Sequence, residues 1–155
     1  MSVCLMLAAP LSFREFDNEE MQASTMRGWE IATFENASEY IRNHTTETDT
    51  VISPWPGYAC ESGRRFFPGL ENQFALPVSA RLSPAEQHRY RIIGKDSIIS
   101  AIRHGNAKMV VIGAWVSALF VSLGVDDGNE FYRVLADQYQ LTGEIENALF
   151  YVRKR

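Results

Sequence analysis

Between residues 25 and 44, apolar side chains recur at steps of three and four: Trp29, Ala32, Phe34, Ala37, Tyr40 and Ile41 form one stripe. That spacing predicts an amphipathic helix over 25–44. Asn36, with Glu39 three residues on, also has the form of a fresh helix start, so a break near Glu35 is a second option. The stripe stops at the polar run NHTTETD, and the short β-branched run Thr50-Val51-Ile52-Ser53 follows, ahead of Pro54. Such a run predicts a buried central strand. Pro54, Pro56, Gly57, Gly63, Pro68 and Gly69 then crowd residues 54–72. This density predicts a structured loop, with at most one helical turn at 58–62 and a short strand at 65–67.

Residues 82–105 read as a helix in two pieces. Ser83-Pro84-Ala85-Glu86 has the cap, the first-position proline and the third-position glutamate of a helix start. Asp96 is the expected cap of the second piece, whose Ile98, Ile99 and Ile102 face the core and which Gly105 ends. Lys108 to Gly113, KMVVIG, is an unbroken apolar run and predicts a strand buried on both faces. Helices are expected over 114–123 and over 128–139, the second with Phe131, Val134, Leu135 and Gln138 on one side. Residues 141–145 and 148–153 read as strands joined at Glu146-Asn147 in a hairpin. Strands alternating with helices predict an α/β fold, specifically a three-layer sandwich with a mostly parallel central sheet and an antiparallel C-terminal edge. TVIS and KMVVIG are expected to be its adjacent, parallel central strands. An N-terminal apolar segment and loop over 1–24 would precede one α/β domain over 25–155.

The length of 155 residues suits that single domain, and an apolar content of 46% with 12% aromatics excludes a disordered chain. A net charge of −4 argues against nonspecific nucleic-acid binding, which draws its affinity from neutralised phosphates. Cys4 and Cys60 are too few for a disulfide framework and show no CxxC spacing. No run reaches the roughly 18 to 20 apolar residues that span a bilayer. Residues 3–9, within VCLMLAAP, read first as a core strand; a signal-peptide core and the last turns of a membrane helix are the alternatives.

Little in the chain carries an established chemical motif. Neither GxGxxG nor GxxxxGK[ST] occurs, so no nucleotide cofactor is expected. His44, His88 and His104 lack partners at ligand spacing, so no metal is expected either. Ser53 stands at a strand end, but Pro54 blocks the turn that would present it as a nucleophile. Asn36-Ala37-Ser38 and Asn43-His44-Thr45 fit the N-glycosylation sequon.

The loop from Ser53 to Phe74 differs in kind, because it leaves the carboxyl end of a central strand, where open α/β sheets place ligands. Trp55, Tyr58, Phe66, Phe67 and Phe74 alternate there with Arg64, Arg65, Glu61 and Glu71. Trp55 and Tyr58 are candidate stacking surfaces for a glycan or a lipid carrier, and Arg64 or Arg65 the candidate anion contact. Glu71 completes the candidate ligand-binding set. The other reading is that the aromatics lid the core and the charges face water.

From about Ala37 to the end, the chain resembles the C-terminal soluble domain of multi-spanning, lipid-linked-sugar glycosyltransferases of the protein-mannosyltransferase and arabinosyltransferase-like type. The carrying residues are Val51 through Glu71, VISPWPGYACESGRRFFPGLE, which follow the pattern VhxxWPxYxxxxGRxxxPGhE. Lys108 to Ile112, Gln138-Tyr139-Gln140-Leu141 and Leu149 to Arg155 fit the tail of that pattern. The resemblance implies an extracytoplasmic accessory domain that contacts a glycan or polyprenyl-phosphate carrier. It also implies a membrane-embedded partner portion that holds the catalytic acids, since these 155 residues contain no such portion. VCLMLAAP would then lie where the last membrane helix ends, and the chain would not transfer sugar by itself. Two other classes stay open. One is a free-standing α/β enzyme, for which Glu61 and Glu71 would have to converge. The other is an interaction module that forms a homodimer through residues 3–11. Without the resemblance, a cytoplasmic location would be expected.

Overall fold

A computed structural model describes residues 27–72, 75–113 and 129–155. The expectations for the 1–24 segment, Cys4, Phe74 and the helix over 114–123 lie outside the described residues. Helix α1 is Ile31–His44, followed by strand β1, Thr50–Ile52. Single 3₁₀ turns at Pro56–Tyr58 and Cys60–Ser62 lead to strand β2, Arg65–Phe66. Helices α2 (Ala75–Ser79), α3 (Pro84–Tyr90) and α4 (Lys95–Arg103) come next, then strand β3, Met109–Gly113. Helix α5, Asn129–Gln138, runs directly into β4, Tyr139–Ile145, and β5, Ala148–Arg153, closes the chain.

Among the described residues the strands form one open five-stranded sheet in the order β2-β1-β3-β5-β4. β1 is parallel to both β2 and β3, with Val51 opposite Phe66 and Met109. β5 is antiparallel to β3 and to β4, so the sheet is mixed: β2, β1 and β3 are its parallel part, and the C-terminal strands add an antiparallel edge. TVIS and KMVVIG are central, adjacent and parallel, as their apolar character requires. All five residues of β3 are buried, because both faces of the strand are covered.

Each face has its own core. Val51, Met109, Val111, Ala148 and Phe150 pack with Ala37 and Ile41 of α1. Ile52, Val110 and Ile112 pack on the other face with Ile98 and Ile102 of α4 and Val134 and Leu135 of α5. Successive strand residues alternate between these clusters, as the pleat demands. Each such aliphatic side chain contributes about 1.5–3 kcal/mol by leaving water. A register shift at Leu141/Gly143 marks a bulge in β4. It reverses the alternation, so Tyr139 joins one core while Ile145 packs against the other.

Several local expectations are corrected. α1 is a continuous helix from Ile31, with no break near Glu35, and its buried residues are Thr33, Ala37, Ser38 and Ile41. Trp29 is 49% exposed, so the stripe drawn through it is offset from the packed face. Residues 56–62 make two 3₁₀ turns rather than one helical turn. α2 is an additional short helix within the stretch between the loop and α3. Gly94, not Asp96, caps α4; Asp96 lies in its first turn. α3 carries the complete capping box: Ser83 Oγ accepts from the Glu86 amide, and Glu86 accepts from the Ser83 amide. Gly105, with φ of 63°, ends α4, and the Asn106 amide bonds the Ala101 carbonyl behind it. Glu146 takes the positive φ of 50° in the β4–β5 hairpin turn, and its carboxylate pairs with Arg27 at 2.9 Å.

Candidate functional site

The loop after β1 is a parallel crossover, and this accounts for its local structure. Parallel neighbours cannot be joined by a tight turn, so the chain must travel back from the end of β1 to the start of β2. Residues 53–64 make that return across the sheet face that carries α1. Ser53 Oγ donates to the Trp55 carbonyl at 2.6 Å, and Pro56 starts the first 3₁₀ turn. Ser62 Oγ donates to the Ala59 carbonyl at 2.6 Å and accepts from the Arg64 amide at 3.2 Å, while Gly63 supplies a left-handed φ of 68°. Cys60 is exposed and unbridged.

Crossover and helix are cross-linked in both directions. Ser38 of α1 donates to the Tyr58 carbonyl, and Arg42 donates to the Glu61 carbonyl at 2.7 Å. In return, Arg64 donates to the carbonyls of Arg42 and Thr45 at 3.2 and 3.1 Å and to Thr45 Oγ1 at 2.9 Å. The last carbonyls of a helix have no intrahelical donors and carry the negative end of its dipole. The Arg64 guanidinium therefore serves as the C-terminal cap of α1.

The sequence-predicted site residues are dispersed by this arrangement. Trp55 lies beyond the carboxyl end of β1, half-buried against both cores, its ring 4.8 Å from that of Trp29. Gly57 makes room for it, since a Cβ there would come within 2.6 Å of the indole nitrogen. Tyr58 is only 1% exposed, packed under α1, with its hydroxyl donating to Asn147 Oδ1 at 2.9 Å. Arg64 and Arg65 stand at the opposite end of β1 from Trp55, because Arg65 is in register with Thr50, the first residue of that strand. Arg65 is exposed and Arg64 is occupied by the helix end. Glu71 lies farther on, accepting the Gly69 amide at 2.7 Å. An aromatic platform beside a guanidinium is thus not assembled from these residues. Glu71 lines a cleft whose lining does not include Glu61. The sequons lie on α1 and its end, with Ser38 fully buried and Thr45 bonded to the Ile41 carbonyl.

Two clefts lie outside the crossover. One, of about 510 Å³, lies at the amino ends of β1 and β3 and is lined by Asp49, Lys108, Arg153, Lys154 and Arg155 among others. Two of these cations are committed to the fold: Arg153 donates to the Gly105 carbonyl, and Lys154 to the Ala136 carbonyl at the end of α5. The other, of about 960 Å³, opens between the 68–71 turn and α3, and its lining includes Glu71, Gln87, His88, Arg91 and Ser97. Sequence reasoning reached Glu71 but missed the rest of this cleft. The signal was an arginine, not a glycine, just past the end of a short helix. No group of three or more His, Cys, Asp or Glu positioned for a metal occurs among the described residues. None of their helices is long and apolar enough to cross a membrane.

The fold defines an α/β protein built on one open, mixed, five-stranded sheet. Comparison of the chain with models of known protein families, with curated proteins and with solved structures finds no match to any of them.

Proposed function

We propose that the chain is a non-catalytic accessory domain of a lipid-linked-sugar glycosyltransferase, acting on the extracytoplasmic side of a membrane. In this role it contacts a glycan or a polyprenyl-phosphate carrier. The observation that carries the reading is the use made of the WPGY…GRR…PGLE run. Its polar groups hold the chain in place: Tyr58 bonds Asn147, Arg64 the end of α1, and one oxygen of Glu71 the Gly69 amide. A motif used this way supports a rigid ledge for contact rather than a reaction centre, whose acid and base must converge on one substrate. The separate placement of Glu61 and Glu71 weighs against the free-standing enzyme. We read the helices on the two faces of the sheet as the outer layers of a three-layer sandwich, with the crossover as part of one of them.

The test pairs a binding assay with a turnover assay on the full chain. Nanodiscs carrying a polyprenyl-phosphate sugar should retain it, whereas nanodiscs without that lipid should not. Incubation with the same lipid and an acceptor glycan should give no transfer product. Absence of retention overturns the proposal, as does transfer that Glu61→Gln or Glu71→Gln abolishes.

A further inference from the structure

The geometry points to the cleft between the 68–71 turn and α3 as a binding site for a phosphorylated sugar, with Arg91 and His88 holding the phosphate and Glu71 and Ser97 the hydroxyls. This rests on the reading of the chain as a sugar- or phosphate-contacting domain, and assigns that contact a place away from Trp55, Arg64 and Arg65.

The backbone at Arg91 is the first support. The position just past a helix end commonly adopts the left-handed conformation, and glycine is its usual occupant because a Cβ is disfavoured there. Arg91 holds that position with φ 53° and ψ 41°. Its amide bonds the His88 carbonyl, and the Ile92 amide bonds the Gln87 carbonyl at 2.9 Å, so the turn is tied twice to the last turn of α3. A long cationic side chain kept in a strained conformation is a mark of function when it borders a cavity, as this one does. Among the described residues its guanidinium has no ion-pair partner.

The opposite wall is built to stay in place. Gly69 has φ 91°, and a Cβ on it would come within 3.0 Å of the Ile93 backbone nitrogen and 3.3 Å of the Arg91 carbonyl oxygen. Only glycine lets the 68–71 turn pack directly on residues 91–93, and that contact sets the width of the cleft. Glu71 Oε2 takes the Gly69 amide, which orients the carboxylate, and its second oxygen has no hydrogen bond among the described residues. On the α3 side Gln87 donates both Nε2 protons to the carbonyls of Ser79 and Leu82, at 3.0 and 3.1 Å, which fixes that wall. Walls and polar groups fixed in advance lower the entropy lost on binding.

The mixture of charges selects the ligand class. A guanidinium receives phosphate oxygens bidentately, and an imidazole beside it adds a donor. Glu71 faces the same space and repels a bare anion, but its carboxylate accepts from sugar hydroxyls. Pro68, Pro84 and Ile92 offer apolar surface for the C–H face of a ring. The volume of about 960 Å³ falls within the range of small-molecule sites. A phosphate ester of a polyhydroxylated ring uses every one of these groups. Inorganic phosphate and neutral sugar each leave some of them unused.

Amide NMR titration of the full chain with glucose 1-phosphate, glucose, inorganic phosphate, and glucosyl farnesyl phosphate in bicelles tests the assignment. Shifts should cluster at residues 69–71, 88, 91–93 and 97. Arg91→Gly suits the left-handed turn, so it should leave the unfolding temperature unchanged or raised while weakening glucose 1-phosphate at least tenfold, about the factor expected for losing a charged hydrogen bond. Glu71→Gln keeps an acceptor for Gly69 and should weaken glucose 1-phosphate without weakening inorganic phosphate. Shifts with both the free and the farnesyl-linked ester, or with the farnesyl-linked ester alone, support the site and tell a soluble source from a membrane one. Inorganic phosphate binding as tightly as glucose 1-phosphate overturns it, as does an Arg91→Gly variant that binds normally. Shifts confined to Trp55 and Arg65 overturn this site but leave the accessory-domain reading standing, and no shifts with any ligand overturn both.

Discussion

Replacing Tyr58 with Phe separates the two roles that the crossover's aromatic residues could play. The substitution keeps the ring and removes only the hydroxyl that donates to Asn147 Oδ1 at 2.9 Å. Tyr58 is 1% exposed and Asn147 7%, so water does not readily replace the lost donor. A made hydrogen bond contributes about 0.5–1.5 kcal/mol net, and a buried acceptor left without its partner costs about 1–3 kcal/mol. Tyr58→Phe should therefore cost about 2 kcal/mol. In a chain of this size that lowers Tm by about 4–8 °C. Urea unfolding followed by circular dichroism should show an earlier midpoint at unchanged slope. Adding Asn147→Ala and the double variant closes a thermodynamic cycle, whose coupling should be about 1 kcal/mol or more. Additivity to within 0.3 kcal/mol would show that the bond, which spans 89 positions of sequence, does not tie the crossover to the hairpin. A ligand stacked on Tyr58, by contrast, would depend on the ring and be indifferent to the hydroxyl.

Arg64→Ala removes three hydrogen bonds from the end of α1 and should destabilise the chain by about 1–2 kcal/mol, with Arg64→Lys recovering little of it; an effect below 0.3 kcal/mol would contradict the capping role. The Tyr40 hydroxyl is buried without a hydrogen-bond partner among the described residues, so Tyr40→Phe should be neutral or stabilise by up to about 1 kcal/mol, and a clear loss in urea midpoint would show a missing partner. Burial pushes the phenols of Tyr139 and Tyr151 above their usual range. The unfolded chain then loses these protons first, so their contribution is intact below about pH 10 and is lost as pH rises through the folded values. Urea midpoints should fall between pH 9 and 11, and the fall should be shallower in Tyr139→Phe; a midpoint independent of pH across that range would refute the assignment.

How far these elements are legible in the sequence depends on how local their causes are. KMVVIG declares itself because a strand covered on both faces has no polar position to offer, whatever covers it. Ser83 and Glu86 announce the start of α3 because a capping box closes within three residues, and Gly105 announces the end of α4 because a left-handed turn is a property of one residue. The same logic made Asp96 a plausible cap. Yet Gly94 holds that position, where a Cβ would come within 2.8 Å of Gln87 Oε1, a neighbour on another helix. The candidate site was decided almost wholly by tertiary structure. Arg64 looks like an anion contact until the end of α1 is folded against it, and Tyr58 looks like a platform until Asn147 arrives from the far hairpin. Trp55 and Arg65 are near in sequence, but a parallel crossover delivers them to opposite ends of one strand. The cleft of Glu71, His88 and Arg91 exists only because Gly69 lets two segments touch. A pattern along the chain determines which residues leave water and where helices begin and end. Which polar groups meet is set by contacts across long separations, whose partners no local spacing specifies.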